Sequence, residues 1–265
     1  MRGVWRVFAT YLAAVAGIIV ASIIAVVTLK SIFPDTPEPA LMQSLAGLLA
    51  ASLASSFALT LTLLGIVQPT TPAVLRLRPG WETGPVLGAM VLGMLALGQA
   101  LDSLMWVIGL GQRGSMAIVR HVLEGVVGPE LFAAVVVFGL IAGVAEELFF
   151  RGYMQTRLSQ AWGATRGVLV TAACFGALHV DVSGVHMALA FVMGLYLGFV
   201  VERTGSVLPA IVCHVVNNIG YTLQTAFGGI VEDRMTNAVI AAACVLLVAL
   251  CIAWVFRATP PEGRV

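Results

Sequence analysis

The run 131–153, LFAAVVVFGLIAGVAEELFFRGY, decides what kind of fold this chain adopts. It is apolar throughout except for Glu146, Glu147 and Arg151. A hydrophobic run of this length is typical of a membrane-spanning helix. Even lenient insertion scales assign a cost of about 2.5–3.5 kcal/mol to an ionised side chain at the centre of such a helix. Three charged groups in one apolar run therefore indicate that the chain uses them.

The composition of the rest of the chain is also that of a membrane protein. Of the 265 residues, 60% are hydrophobic and 10% are charged, and the mean hydropathy is +1.01. Soluble domains are about one quarter charged. A net charge of +1 gives no indication of nucleic-acid binding. The four cysteines lie in apolar runs without a CxxC pair, which argues against a disulfide framework or a zinc site built from cysteine.

We predict an all-α membrane protein, a bundle of about eight transmembrane helices with an intramembrane polar cavity. About 20 apolar residues span a bilayer core. The predicted spans are roughly 5–29, 43–67, 84–110, 131–157, 166–181, 185–201, 206–228 and 235–256. A short interfacial helix is expected around 116–123. We divide the chain into N-terminal helices one to three with a connecting loop (1–125), a core of helices four to seven (126–230), and a C-terminal helix with a short tail (231–265).

The basic residues predict the orientation of the bundle, because cytoplasmic loops carry an excess of Lys and Arg. With the N-terminus inside and eight alternating spans, ten of the 14 basic residues fall inside. Four fall outside, namely Lys30, Arg113, Arg120 and Arg234. If Arg151 is buried, nine remain inside against four outside. We therefore expect both termini in the cytoplasm. The preference for Arg over Lys favours a bacterial source and hence the inner (plasma) membrane.

Helical spacing divides the charges of the opening run into a pair and a single carboxylate. Residues four apart share a helix face, whereas neighbours point about 100° apart. Glu147 and Arg151 are therefore expected to pair, and Glu146 points to a different side without a local partner. A carboxylate in such an environment is a candidate general base. The alternative is a structural ion pair beside a carboxylate near the interface.

Two further predicted helices carry polar groups. His179 ends the sequence FGALH late in the fifth span, and His186 begins the sixth as a candidate of second rank. A polar stripe follows the seventh span at His214, Asn218, Tyr221 and Thr225. Such a stripe forms either a hydrogen-bonded seam between helices or one wall of a polar cavity.

Two histidines and a carboxylate are compatible with two kinds of chemistry. Glu146, His179 and His214 can hold one divalent metal such as zinc, with an open position for water. In a metal-free mechanism, Glu146 and a histidine take a proton from water, while His214 and Asn218 stabilise an oxyanion. Both alternatives lead to attack of water on a carbonyl.

The sequence resembles the CAAX prenyl endopeptidase and bacteriocin-processing (Abi, type II CAAX) intramembrane protease family. The family motifs EExxxR, FxxxH and HxxxN/D stand here, in order, as Glu146-Glu147…Arg151, Phe175…His179 and His214…Asn218. The resemblance covers roughly 130–222 and includes the run from Gly194 to Gly198 and the segment from Arg203 to Ala210.

The resemblance implies a role for each motif residue. Glu146 and His179 would activate water, and His214 and Asn218 would stabilise the tetrahedral oxyanion, or His214 would join a metal site. Glu147 and Arg151 would support them, with Arg151 orienting the carboxylates. The cofactor stays open between one divalent metal and none.

The expected function is that of an intramembrane endopeptidase acting on a peptide or membrane-protein substrate in the lipid bilayer, without nucleic acid. The alternatives are a non-catalytic bacteriocin-immunity or scaffold protein that keeps the fold, and a transporter using Glu146 and Asp102. We interpret Asp102 as an interfacial or helix-pairing residue. The cavity is expected to open toward the cytoplasm, at the end of the fourth span that carries Arg151 and Arg157.

Overall fold

A computed structural model describes residues 2–68 and 70–258, and every element in these ranges is helical or a connecting turn. Residues 1 and 69, and the tail 259–265 of the predicted C-terminal region, lie outside the described residues. Ten helices are present in the described part, and we number them α1 to α10. They are α1 (Arg2–Ile32), α2 (Glu38–Met42), α3 (Leu45–Ile66), α4 (Gly84–Val107), α5 (Gly114–Leu123), α6 (Gly128–Trp162), α7 (Ala164–Leu178), α8 (Val185–Thr204), α9 (Leu208–Ala226) and α10 (Arg234–Arg257).

Six of these helices are long and apolar enough to cross a membrane, which makes this an integral membrane protein: α1, α3, α4, α6, α8 and α10. The segments predicted at 166–181 and 206–228 are also helices, α7 and α9, but they are not among the six. Helix α7 is too short, and the polar stripe of α9 lowers its hydropathy. A short helix is present where one was expected around 116–123, as α5.

The opening run of the sequence lies within α6, which is one continuous 35-residue helix with two π-helical segments. These are Val135–Ile141 and Leu148–Gln155, and they lie on either side of the α-helical turns that carry Glu146 and Glu147. π-Helical turns inside α-helices occur frequently at functional sites. Helix α6 ends before Gly163, whose φ of +86° turns the chain back into α7 at a backbone conformation that only glycine adopts easily.

Two apolar clusters hold the helices around α6. One joins α1, α3, α6 and α7 through buried side chains that include Leu59, Phe149, Phe150 and Phe175. The other joins α4, α8, α9 and α10 through Met90, Met94, Leu197, Val200 and Cys213. The polar side chains of α6, α7 and α9 lie between these clusters.

Candidate active site

Helices α6 and α9 approach closely because two glycines of α6 face α9. A Cβ on Gly139 would lie 2.5 Å from Cγ1 of Ile219, and a Cβ on Gly143 would lie 3.0 Å from Cγ2 of Val215. The contacts run in opposite order along the two helices, so the helices are antiparallel. Small residues four apart allow this kind of backbone approach in membrane proteins. One turn beyond Gly143, the same approach brings both glutamates of α6 to His214.

Glu147 lies at the centre of a buried hydrogen-bonded group. Its Oε1 accepts from Nη1 of Arg151 at 2.9 Å and from Nδ1 of His214 at 2.8 Å. The side chains of Glu147 and Arg151 are both 0% exposed. The predicted pairing of Glu147 with Arg151 is confirmed, whereas the contact with His214 was not predicted. Glu147 therefore connects the first and third sequence motifs directly.

Arg151 is held from two more sides. Its Nη2 donates to the backbone carbonyl of Gly194 on α8 at 3.2 Å, and its guanidinium carbon lies 4.5 Å from the ring centroid of Phe175. A Cβ at Gly194 would meet Nη2 of Arg151 at 3.3 Å and Ala172 on α7 at 3.2 Å. A planar guanidinium suits this combination of carboxylate, carbonyl and aromatic face. Arg151 thus fixes the orientation of Glu147 against three helices.

Glu146 points away from this group and lines a cavity. Its side chain is 17% exposed, and its Oε2 lies 3.7 Å from Nε2 of His214. The prediction that Glu146 points to a different side from Glu147 is therefore confirmed. Its nearest charged neighbour is on another helix, a contact that spacing along one helix does not predict. His214 lies between the two glutamates, with one ring nitrogen toward each.

The hydrogen bond to Glu147 determines the tautomer of neutral His214. An ionised carboxylate only accepts, so Nδ1 carries the proton and Nε2 presents a lone pair toward Glu146. The 3.7 Å between Nε2 of His214 and Oε2 of Glu146 is too long for a direct hydrogen bond. A molecule with O–H groups that lies between the two atoms can donate to both. A nucleophilic water is such a molecule.

His179 is the C-cap residue of α7, which ends at Leu178. The expectation that it lies inside a longer fifth span is wrong, because the helix ends one residue earlier. Its Nδ1 lies 2.9 Å from the carbonyl oxygen of Phe175, one of the acceptors left free at a helix end. That carbonyl can only accept, so Nδ1 donates and Nε2 is unprotonated in the neutral ring. The ring lies between those of Phe175 and His186, with 4.7 Å between centroids in each case.

The predicted polar stripe of α9 divides between different surroundings. His214, Asn218 and Tyr221 line the cavity, whereas Thr225 lines a separate pocket near the end of α5. Nδ2 of Asn218 donates to the carbonyl of Phe138 on α6 at 3.1 Å, which leaves its second N–H available. Asn217 also lines the cavity and packs against Gly98 of α4. The spacing of the stripe gave no indication of this contribution from Asn217.

The cavity has a volume of about 530 Å³. Its lining comes from the later parts of α4 and α9, from α5, from the first half of α6, from the end of α7, from the first half of α8 and from Ser52 of α3; members include Gln99, Asp102, Met116, Leu123, Phe138, Ala142, Glu146, His179, His186, His214 and Gln224. This end of the bundle is opposite to the end of α6 that carries Arg151 and Arg157. The prediction that the cavity opens at the Arg151–Arg157 end is therefore wrong. Arg151 has no exposed surface at all.

Asp102 pairs with Arg120 of α5, and Arg120 also donates to the carbonyl of Gly111. This contact confirms Asp102 as a helix-pairing residue, and it holds α5 against α4.

A second polar group, absent from the sequence predictions, lies beyond Arg151 on α6. There Gln155 donates to the carbonyl of Gly198 at 3.0 Å and to Glu202 at 2.9 Å. The sequence does contain a signal for this group. Arg151 and Gln155 are four residues apart, and so are Gly194 and Gly198, whose carbonyls they contact.

The residues do not fit a metal ion as they are arranged. Within residues 2–68 and 70–258, no group of three His, Cys, Asp or Glu side chains has a geometry that could hold one. In particular, Glu146, His179 and His214, the set expected if a metal is used, do not form such a group. The chemistry below is therefore derived from the side chains alone.

Residues 128–220 match the family model described as type II CAAX prenyl endopeptidase Rce1-like. No curated protein matches the chain. The matched segment contains every predicted site residue, from Glu146 to Asn218, and the whole Arg151–Glu147–His214 group. Residues 128–220 are therefore similar to the Rce1-like type II CAAX prenyl endopeptidases, a family of membrane proteases.

Proposed function

We propose that the protein is an intramembrane endopeptidase that hydrolyses a peptide bond with water activated by Glu146 and His179. The observation that carries the proposal is the connected group Arg151–Glu147–His214, which presents His214 to Glu146 at the cavity wall. A buried ion pair is costly to desolvate. A purely structural pair has no need of a histidine that extends it to a half-buried carboxylate beside a cavity.

In the proposed reaction, a water molecule bound at Glu146 attacks the carbonyl carbon of the substrate. Glu146 takes the water proton, and the unprotonated Nε2 of His179 is the second acceptor at the cavity wall. The new C–O bond converts the carbonyl oxygen into an oxyanion. The proton then passes to the amide nitrogen, the C–N bond breaks, and a free amine and a carboxylic acid are released.

His214 and Asn218 are proposed to stabilise the oxyanion. Asn218 offers the N–H that Phe138 does not use. His214 can donate from Nε2 when it is protonated, and Glu147 stabilises that imidazolium because its carboxylate accepts from Nδ1 at 2.8 Å. The role of Glu147 is similar to that of the aspartate in a Ser-His-Asp triad, which orients a histidine and stabilises its charged form. Arg151 in turn holds Glu147 in place through its hydrogen bond to Oε1.

We also propose the membrane arrangement. All eight helices of 15 residues or more would cross the bilayer, with α7 and α9 shielded by their neighbours. The protein would reside in a bacterial inner membrane with both termini in the cytoplasm. The substrate is proposed to be a peptide or a membrane protein. No observation favours the non-catalytic scaffold or the transporter over the peptidase.

The test compares membrane peptides from cells that express the wild type, Glu146→Gln, His179→Ala or Glu130→Gln. Glu130 is the matched control, since it is an exposed glutamate on the same helix. Peptides that appear with the wild type and Glu130→Gln should fall by at least about 100-fold with Glu146→Gln, the range expected for loss of a general base. Unchanged cleavage by Glu146→Gln, at equal protein level, would contradict the proposal.

The same peptides allow the cofactor to be tested. Cleavage by purified protein is expected to survive dialysis against a chelator, because the cavity side chains do not form a metal-binding group. Loss of cleavage that zinc restores would instead assign Glu146, His179 and His214 to a metal site that forms when the ion binds.

A further inference from the structure

His186 contacts the catalytic histidine but has no part in the reaction proposed above. It lines the cavity at the start of α8, and its ring meets the ring of His179 at a centroid distance of 4.7 Å and an angle of 65°. On its other side, His179 meets the ring of Phe175. One hydrogen bond from Nδ1 and the Phe175 contact hold the ring of His179 from one side only. The ring of His186 supports it from the other side.

His186 is itself held by helix α5. Its Nδ1 lies 2.9 Å from Oγ of Ser115, which is the second residue of α5. The backbone N–H of Ser115 donates to Oδ2 of Asp181 at 2.9 Å, and its hydroxyl lies 3.3 Å from the same oxygen. Asp181 lies in the loop that joins α7 to α8. These contacts connect α5 to the loop between α7 and α8 and to His186 at the start of α8.

Asp181, the last group in this series of contacts, determines the directions of the hydrogen bonds. Partial burial acts to raise the pKa of Asp181, but the backbone N–H of Ser115, the hydroxyl of Ser183, the backbone N–H of Gly184 and the hydroxyl of Ser115 together hold that pKa below its usual value. An ionised Asp181 only accepts, so Ser115 donates its hydroxyl proton to it. Oγ of Ser115 must then accept from His186, and Nδ1 of His186 carries the proton.

We propose that His186 is a positioning residue that fixes the ring of His179, and that Ser115 holds His186 only while α5 lies across the cavity. Met116, Val119 and Leu123 of α5 line the cavity, so movement of α5 changes access to Glu146 and releases His186 together. Binding of a substrate under α5 would thereby be coupled to the position of the catalytic histidine. The inference rests on the proposed peptidase function.

The first test needs no substrate. The chain has four histidines, so the imidazole nitrogen signals of ¹⁵N-histidine-labelled protein can be assigned with four single substitutions. We expect His186 to be the Nδ1–H tautomer, and we expect Ser115→Ala to change the signals of both His186 and His179. Ser183→Ala is the matched control, because Ser183 also donates to Asp181 but has no contact with His186. If the signals of His179 stay the same in Ser115→Ala and in His186→Phe, the positioning role is wrong.

The second test measures turnover of a peptide identified in the comparison of Glu146 variants. His186→Asn keeps a side-chain N–H for Ser115 but loses the ring, and it should lower kcat about tenfold with little change in KM, since small displacements of a catalytic group cost this much or more. His186→Phe keeps a ring against His179 and should recover part of that loss. Ser183→Ala should match the wild type. Equal kcat in all variants would overturn this inference while leaving the peptidase function intact, whereas absence of cleavage by the wild type would overturn the function itself.

Discussion

The two halves of helix α6 place the same kinds of side chain in different surroundings. The cavity half, 138–146, ends in a carboxylate that faces a cavity and a histidine at 3.7 Å. The packed half, 147–159, carries Glu147, Arg151 and Gln155, each with no exposed surface and each hydrogen-bonded to a neighbouring helix. Glu146 and Glu147 are adjacent in sequence, so composition cannot explain the contrast. The difference lies in the partners that α8 and α9 supply.

The comparison supports the proposal that Glu146, and not Glu147, is the carboxylate that binds water. In the packed half, Glu147 and Arg151 pair with each other, and each also has a partner on a neighbouring helix. In the cavity half, Glu146 faces only a histidine nitrogen that presents a lone pair in its neutral form. A carboxylate that its surroundings do not satisfy is free to bind and deprotonate water.

The largest difference is expected in the accessibility of the two ends of the bundle, the cavity end and the packed end, to a reagent outside the cell. Val182 lies at the cavity end and Thr165 at the packed end, and both are exposed. In a background without the native cysteines, a membrane-impermeant maleimide should label Val182→Cys in intact cells and Thr165→Cys only after permeabilisation. The reason is that the packed end carries the excess of arginine, which favours the cytoplasmic side. The opposite labelling would place the cavity on the cytoplasmic face and reverse the predicted orientation.

The next effect contrasts stability with activity. Arg151→Met leaves Glu147 buried without its cation, which should lower the free energy of unfolding by about 3–5 kcal/mol. Glu146→Gln changes a cavity carboxylate that is 17% exposed and lies 3.7 Å from its histidine neighbour. Because no direct hydrogen bond is lost, this variant should stay within about 0.5 kcal/mol of the wild type. Denaturant unfolding of both variants in the same detergent checks the pair. Similar losses in the two variants would contradict the division of α6 into two halves.

The smallest effect is expected when the pH is lowered, at the contact between Ser115 and Asp181 near the cavity. The pKa of Asp181 is held low by the donors described above. A carboxyl group whose folded pKa lies below its unfolded value contributes stability above the unfolded pKa, and the contribution is lost as the pH falls through the folded pKa. The amide signal of Ser115 should therefore stay constant down to about pH 4 and change below it, near or under the usual carboxyl range. A change centred near neutral pH would show that another group controls this contact.

Much of the fold could be predicted from the sequence, because helices in lipid must satisfy their backbone hydrogen bonds internally. The apolar runs marked the helices to within a few residues at most ends. The spacing of four residues predicted that Arg151 pairs with Glu147, and that Glu146 points away from both. The end of α7 was missed because no Gly or Pro immediately follows Leu178, and His179 therefore seemed to lie inside a helix. The polar group around Gln155 and Glu202 was missed because its members come from helices far apart in sequence.

By itself, the sequence determined the local facts: a helical membrane protein, a Glu147–Arg151 pair one turn apart, and a polar stripe along α9 from His214. These follow from short-range geometry, which repeats in every α-helix. Only the tertiary structure decided that His214, 67 residues from Glu147, binds it and faces Glu146. The same holds for the end of the bundle that contains the cavity. Both depend on the close approach of α6 and α9 at Gly139 and Gly143, a long-range contact that no spacing within one helix can determine.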